Sequence, residues 1–168
     1  MMSHPIVGLP PVIPEQPKVL ILGSMPSVKS LEKQQYYGHP RNHFWPIMFE
    51  LFQVDPIDSY QERIQLVKQN GIALWDAIAS CERTGSLDVH IKNETPNDIP
   101  GFLDQYPTIR LIACNGTKSY HIVKKFCFHK RLSSIDVLKL PSTSPIPGRY
   151  NKTFSEKLEE WKQIILYL

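Results

Sequence analysis

The chain lacks any uninterrupted apolar run close to the ~20 residues that a transmembrane helix needs. Its first residues also lack the pattern of a secretory signal peptide. Cysteine is scarce: Cys81, Cys114 and Cys127 have no metal-binding spacing and cannot all pair with one another. These absences predict a cytoplasmic protein with free thiols and no contact with a membrane.

Several common catalytic signatures are missing as well. Neither GxGxxG nor GxxxxGK[ST] occurs, which weakens the case for a nucleotide- or phosphate-binding enzyme of the doubly wound type. The six histidines form neither HExxH nor a comparable cluster of metal ligands. We therefore expect no cofactor and no bound metal.

The totals describe an ordinary globular chain with a mild positive charge. Nineteen Lys and Arg against sixteen Asp and Glu give a net charge of +3, which suits a polyanionic partner without requiring one. With 168 residues, 42% of them hydrophobic, the chain can form one domain with a normal core. Five prolines within residues 1–17 predict an extended lead-in, so we place the single domain at residues 18–168.

Hydrophobic periodicity predicts strands that alternate with helices. The predicted strands are 18–23, 72–76, 109–114 and 136–140. The predicted helices are 42–53, 59–69, 118–128 and 153–167, the last with Phe154, Leu158, Trp161, Ile164 and Ile165 on one face. Residues 82–100 are polar and rich in turn formers, and they show no periodicity. The alternation indicates an α/β fold, a three-layer αβα sandwich around a central, mainly parallel four-stranded sheet.

Three of the predicted strands end in small or polar residues. The loops are Gly-Ser-Met-Pro-Ser at 23–27, Asn-Gly-Thr at 115–117 and Ser-Thr-Ser-Pro at 142–145. In a parallel sheet these ends lie along one edge, so we expect the loops to converge into a binding site. Residues 36–45, Tyr-Tyr-Gly-His-Pro-Arg-Asn-His-Phe-Trp, follow the first loop and provide the aromatic rings and amides that a flat heterocycle requires.

These segments resemble the uracil-DNA glycosylase superfamily over roughly residues 18–165. Residues 23–27 followed by His-Pro-Arg-Asn-His-Phe-Trp at 39–45 resemble the first motif of its mismatch-specific group, and residues 140–145 resemble the second motif. That group uses an asparagine of GINPG to position the hydrolytic water, where this chain has Met25, whose thioether cannot do so. The full pattern is similar to the hypoxanthine-DNA glycosylase branch, which uses the asparagine of HPRN instead.

The resemblance implies a monofunctional DNA glycosylase of base excision repair, acting on a base flipped out of the helix, with hypoxanthine as the preferred substrate. It implies that Asn42 positions the attacking water. The base would be bound by Ser24, Met25, Tyr37, Phe44 and Asn115. The DNA would be bound by Ser142, Thr143, Ser144 and Arg149, with residues 145–150 as the segment that wedges into the gap left by the base. His39 would support the loop that carries Asn42.

The partner implied is single- or double-stranded DNA containing a deaminated base, bound by a monomer that in a prokaryote would be associated with the nucleoid. Two related readings stay open: a uracil or mismatch-specific glycosylase, and a DNA-damage sensor that has lost catalysis. Asn42 also suits the start of a helix, and Asn115 suits a turn before Gly116.

Overall fold

The computed structural model describes residues 5–126, 133–145 and 152–168. Its strands are β1 (Ile6–Val7), β2 (Val19–Gly23), β3 (Ile72–Asp76), β4 (Ile78–Glu82), β5 (Lys92–Pro96), β6 (Leu111–Asn115) and β7 (Asp136–Leu140). Its α-helices are α1 (Val28–Lys33), α2 (Phe44–Leu51), α3 (Tyr60–Gln69), α4 (Ile99–Gln105), α5 (Thr117–Phe126) and α6 (Phe154–Trp161). Short 3₁₀ segments cover Asp88–His90 and Lys162–Tyr167.

The four predicted strands form one parallel sheet in the order β3-β2-β6-β7. Every residue of β2 is buried, as expected for an interior strand made of a continuous apolar run. All four carboxyl ends lie at the same edge, so Gly23, Asp76, Asn115 and Leu140 mark the border where the strand-end loops begin. The predicted α/β class with a four-stranded parallel sheet is confirmed.

Helices cover both faces of this sheet because side chains alternate along β2. Val19 and Ile21 pack in the same cluster as the apolar faces of α2, α3 and α6. Leu20 and Leu22 face the other way, into a cluster with α4 and α5. The result is the three-layer sandwich that the sequence predicted.

Three regions carry structure that the periodicity did not reveal, and the first is α1. Residues 82–100, which show no periodicity in the sequence, contain the end of β4, a 3₁₀ turn, β5 and the start of α4. β5 is mostly exposed and therefore has no buried face to impose an alternating pattern. The second sheet is antiparallel in the order β1-β4-β5, and β1 comes from the expected N-terminal lead-in.

The helix ends follow local chemistry. Pro46 falls in the first turn of α2, where its missing N–H does no harm. The C-terminal helix tightens to 3₁₀ geometry after Trp161, so Ile164 is buried while Ile165 is exposed, and the prediction that Ile165 faces the core is wrong. Among the described residues, no helix has both the length and the apolar character needed to cross a bilayer.

Candidate active site

The strand-end loops and residues 36–45 surround one cavity of about 460 Å³. Gly23, Asp76 and Asn115 contribute the ends of three neighbouring strands to its lining. The remaining lining residues are Ser24, Met25, Pro26, Ser27, Ser30, Tyr36, Tyr37, His39, Asn42, Ser86, Leu87, Asp88, Val89, Ser142, Thr143, Ser144 and Pro145. A cavity of this size fits a small ligand such as a nucleobase. The structure therefore brings the three predicted loops together.

Tyr37 lies in this cavity on a firmly anchored loop. The neighbouring Tyr36 is 3% exposed, and its hydroxyl donates to the Pro10 carbonyl at 2.8 Å, so Tyr36 belongs to the core. The Trp45 indole N–H donates to the Tyr36 carbonyl at 3.0 Å. Tyr37 itself has φ +54°, a left-handed conformation that is uncommon for a bulky residue and often marks a functional site.

The Tyr37 hydroxyl is buried and lacks a hydrogen-bond partner within the described parts of the chain. Burial raises the pKa of this hydroxyl, and the charge of Asp76 adds to the effect. A hydrogen-bonding contribution from the nearby Asn115 side chain lowers this pKa, although the two groups do not reach the geometry of a full hydrogen bond.

Phe44 does not line the cavity, which corrects the expectation that it binds the base. Its side chain is fully buried in the core. It stacks on Tyr37, with ring centroids 4.0 Å apart and an interplanar angle of 18°. Phe44 therefore supports the ring of Tyr37 from behind and has no exposed face for a ligand.

Asn42 lines the cavity and directly precedes His43, the N-cap residue of α2. Its Oδ1 accepts the Phe44 N–H at 2.9 Å, which satisfies one of the free donors at the start of the helix. Since an amide oxygen has two lone pairs, one acceptor site remains, and the Nδ2 group keeps its donors. The N-cap residue is His43, so the prediction that Asn42 caps the helix is wrong by one position, although the bond from the Phe44 N–H orients the Asn42 amide.

His39 stabilises the loop before Asn42. Its Nδ1 accepts the Arg41 N–H at 3.1 Å. The Asn42 N–H in turn donates to the His39 carbonyl at 3.0 Å. His39 thus holds the turn that presents Asn42, and it also borders the cavity.

Asn115 and Thr143 lock two of the strand-end loops together. The Asn115 Nδ2 donates to Thr143 Oγ1 at 2.9 Å, and its Oδ1 accepts the Thr143 N–H at 3.0 Å. Thr143 is 1% exposed, and its carbonyl accepts the His43 N–H at 2.9 Å. The expectation that the Thr143 side chain grips a phosphate is therefore wrong, because the hydroxyl is enclosed and serves Asn115.

The flanking serines are more accessible. Ser142 is exposed, and its hydroxyl accepts the Ser144 N–H at 3.2 Å. Ser144 is half-buried, and both serines line the cavity. Arg149, predicted to contact DNA, and the proposed wedge beyond Pro145 lie outside the described residues.

Ser24 and Met25 border the cavity from the loop after β2. The Ser24 hydroxyl donates to Asp88 Oδ1 at 2.7 Å, which ties this loop to the 3₁₀ turn of the second sheet. Met25 is 7% exposed and packs with Ala77 and Ile78 in a small apolar cluster.

Asp76 is the cavity residue that the sequence reasoning missed. Its side chain is 4% exposed, and its Oδ2 has no hydrogen-bond partner among the described residues. Burial, with a smaller contribution from the charge of Asp88 and against the opposing effect of Arg83, raises its pKa to about 7. The available signal was an aspartate at the carboxyl end of a buried strand, in register with Gly23 of β2.

Lys157 lies behind the site, buried at 2% exposure in α6. Its Nζ is 3.2 Å from His43 Nδ1 and 3.5 Å from the Ser144 carbonyl. Burial lowers the pKa of Lys157, and burial together with the Lys157 charge lowers the pKa of His43. This lysine connects α2, α6 and the 142–145 loop, but it is not among the residues that line the cavity.

The family model of the uracil DNA glycosylase superfamily matches residues 10–165. The chain is 35% identical to a Methanosarcina acetivorans protein named hypoxanthine DNA glycosylase, over 94% of this chain and 96% of the relative. It is 42% identical to a protein of the same name from Methanosarcina barkeri, over 67% of this chain and 72% of the relative.

The fold has a solved counterpart. A provisionally named uracil DNA glycosylase from Methanosarcina acetivorans, solved by solution NMR, superposes with a TM-score of 0.81 at 33% sequence identity. The superposition covers 96% of each chain. The likeness therefore extends over the central sheet, both helical layers and the loops around the cavity.

Proposed function

Because the chain belongs to the uracil DNA glycosylase superfamily, and so is a hydrolase of N-glycosyl bonds in DNA, we propose that its substrate base is hypoxanthine. The relatives named hypoxanthine DNA glycosylase support this choice, and one of them aligns along nearly the whole chain. Met25 also supports it, since a thioether at that position cannot hold the water that mismatch-specific enzymes use.

The single structural observation that carries the proposed hydrolysis is the position of the Asn42 side chain. Its amide borders the cavity, and its orientation is fixed by the bond from the Phe44 N–H. In the proposed reaction the remaining lone pair of Oδ1 accepts a hydrogen bond from water and aims the water oxygen at C1′ of the extruded deoxyribose. An amide is a weak base, so its contribution is orientation of the nucleophile more than removal of a proton.

Base recognition is assigned to the surfaces around Tyr37. A flat purine can stack on or lie against this ring, which Phe44 holds in place. Asn115 keeps one donor and one acceptor beyond its bonds to Thr143, and hypoxanthine offers O6 as acceptor and N1–H as donor. Backbone groups of Ser24 and Met25 complete the proposed base contacts.

DNA backbone contacts are assigned to Ser142, Ser144 and Arg149. The serines border the mouth of the cavity, where the phosphates next to a flipped nucleotide would lie.

We also propose that the protein acts as a monomer, which size-exclusion chromatography with light scattering will test directly.

The substrate assignment is tested with oligonucleotides that each carry one altered base, as duplexes and as single strands. The protein is incubated with each one, and alkali then breaks the strand at any abasic site. We expect breaks at deoxyinosine, and far fewer at deoxyuridine or deoxyxanthosine. Breaks at uracil alone would identify a uracil glycosylase instead, and tight binding without breaks would identify a damage sensor.

Two substitutions at Asn42 separate its roles. Asn42→Ala removes both the helix-start bond and the water contact, and we expect the single-turnover rate to fall about a hundredfold. Asn42→Asp keeps an oxygen for the Phe44 N–H, so α2 stays intact. Asn70→Ala is the matched control, since Asn70 Nδ2 bonds the Leu66 carbonyl at the end of α3, away from the cavity. A full rate for Asn42→Ala would overturn the assignment.

A further inference from the structure

The carboxyl group of Asp76 lines the cavity and has no role in the reaction proposed above. It sits at the carboxyl end of β3, lines the cavity and is 4% exposed. Its Oδ2 has no partner among the described residues, and buried polar groups without partners are rare in folded proteins. A polar group left unpaired at a binding surface indicates a partner that arrives with the ligand.

The absence of a side chain at Gly23 leaves room for this carboxyl group. A Cβ at Gly23, the β2 residue in register with Asp76, would lie 2.5 Å from Asp76 Oδ1 and 3.4 Å from the Tyr37 hydroxyl. Any side chain at position 23 would therefore collide with the carboxyl group. Glycine at this position therefore allows the carboxyl group to keep its place in the lining of the cavity.

We propose that Asp76 in its protonated form donates a hydrogen bond, and then its proton, to the N7/O6 edge of the flipped purine as the glycosidic bond breaks. This inference rests on the proposed function, because it needs a purine in the cavity. N7 and O6 are adjacent acceptors on the same edge of a hypoxanthine ring, as they are in guanine. A proton delivered there stabilises the negative charge that the departing base develops.

The step balances. The bond between C1′ and N9 breaks, and its electron pair stays with the purine, while the oxygen of water bonds to C1′. The purine takes the Asp76 proton and leaves as neutral hypoxanthine. The attacking water loses one proton to solvent, and the Asp76 carboxylate recovers one from solvent before the next cycle.

The groups around Asp76 favour its protonated form. Burial and the negative charge of Asp88 on the 3₁₀ turn both raise its pKa to about 7, against the opposing effect of Arg83 in the segment after β4. The nearby side chains of Tyr36 and Tyr37 are uncharged, since burial and Asp76 raise the pKa of each hydroxyl. An ionised carboxylate would instead repel the departing anion.

The experiment measures single-turnover rates on deoxyinosine duplexes between pH 5.5 and 8.5 for the wild type, Asp76→Asn and Asp58→Asn. Asp58 is an exposed carboxyl before α3, so its variant controls for the loss of one negative charge. We expect the wild-type rate to fall above about pH 7. We expect Asp76→Asn to be slower at pH 6 by about a hundredfold, with no decline across this range, and Asp58→Asn to match the wild type.

Thermal unfolding and the affinity for a duplex with an abasic-site analogue show whether Asp76→Asn is folded and binds DNA. A folded, DNA-binding Asp76→Asn with the wild-type rate and profile would overturn the inference while leaving the substrate assignment intact. A decline near pH 7 that persists in Asp76→Asn would also overturn it, since a group other than Asp76 would then control the rate. A wild type that releases no hypoxanthine at any pH would instead refute the proposed function.

Discussion

At Asp76 the chain keeps a carboxyl group where its surroundings disfavour a negative charge. Neighbouring side chains compensate only in part: Oδ2 is unpaired within the described residues, Asp88 adds a second negative charge nearby, and Arg83 opposes these effects. Sites that bind or transform a ligand often retain groups of this kind at the expense of stability. The consequence is measurable in the pH dependence of unfolding.

We expect Asp76→Asn to stabilise the protein at pH 8 and to change its stability little near pH 3.5. The folded-state pKa of about 7 exceeds the ordinary value of 3.8, so the folded protein binds this proton more tightly than the unfolded chain does. The protonated carboxyl group of Asp76 therefore makes its full contribution to the free energy of unfolding below about pH 4. This contribution falls by up to roughly 4 kcal/mol as the pH rises to about 7. Urea unfolding of the wild type and Asp76→Asn at both pH values measures the change in the free energy of unfolding. An equal change at pH 8 and pH 3.5 would contradict the expectation.

Tyr37, like Asp76, has a buried polar group without a hydrogen-bond partner among the described residues. We expect Tyr37→Phe to leave the free energy of unfolding unchanged or to raise it by about 1 kcal/mol, because the hydroxyl is buried without a partner in the described structure. We expect the rate on deoxyinosine DNA to fall about tenfold if this hydroxyl contacts the base, as one lost hydrogen bond would cause. Chemical unfolding and single-turnover assays test the two effects separately.

Tyr60→Phe is the matched comparison. The Tyr60 hydroxyl accepts the Tyr36 N–H at 3.0 Å, so its removal leaves that donor unpaired. Stability should therefore fall with Tyr60→Phe, by about 1–3 kcal/mol. A stability loss of the same size in Tyr37→Phe would show that its hydroxyl has a partner in the folded protein.

At the scale of elements, the start of α2 and the loop after β7 form one unit. The His43 N–H bonds the Thr143 carbonyl, and the Lys157 ammonium group of α6 contacts both His43 and the Ser144 carbonyl. Asn115 adds two bonds to Thr143 from the end of β6. Asn42 is therefore held in place by contacts that come from three separate parts of the chain.

Among the described residues Lys157 is the only buried lysine, so it is the group to test for covalent catalysis. A monofunctional enzyme uses water and forms no imine with the sugar. We expect no covalent complex when the protein is mixed with deoxyinosine DNA in the presence of sodium borohydride. A trapped complex that disappears in Lys157→Met would show that this lysine reaches the sugar and that the enzyme is bifunctional.

At the scale of the whole molecule, the N-terminal residues are integrated into the fold. Leu9 is 6% exposed in the main core, and Val12 forms an antiparallel bridge with Leu74 of β3. The carbonyls of Leu9 and Pro10 accept hydrogen bonds from the Tyr36 hydroxyl. The lead-in thus supports the loop that carries Tyr37.

Two truncations distinguish the contributions of this segment. Removal of residues 1–8 deletes β1 and leaves the edge of β4 unpaired, and we expect a modest loss of stability. Removal of residues 1–17 also removes Leu9 and the acceptors of the Tyr36 hydroxyl, and we expect a loss of several kcal/mol. Thermal unfolding with activity assays tests this order. Equal stability of both truncations would show that the domain begins at residue 18.

The sequence by itself determined the central sheet, four of the six α-helices in the described residues and the convergence of the three strand-end loops, whereas α1 and α4 were not predicted. The reason is that buried strands and amphipathic helices leave periodic patterns, and parallel strands place their carboxyl ends at one edge. The second sheet escaped because its exposed strand β5 has no buried face and β1 has only two residues. The place of β1 in it was decided by pairing between segments more than seventy residues apart, and the bond from Ser24 joins Asp88 to the loop after β2.

Only the tertiary structure decided which site residues face the cavity and which ones support them from behind. Phe44 lies behind Tyr37, and Thr143 is enclosed by Asn115, because burial depends on contacts between distant segments that a linear motif does not record. Asp76 became a candidate for the same reason: its environment combines Gly23, Arg83 and Asp88, which local sequence patterns do not connect. Motifs fix which chemical groups are present, whereas packing fixes which of them face the ligand.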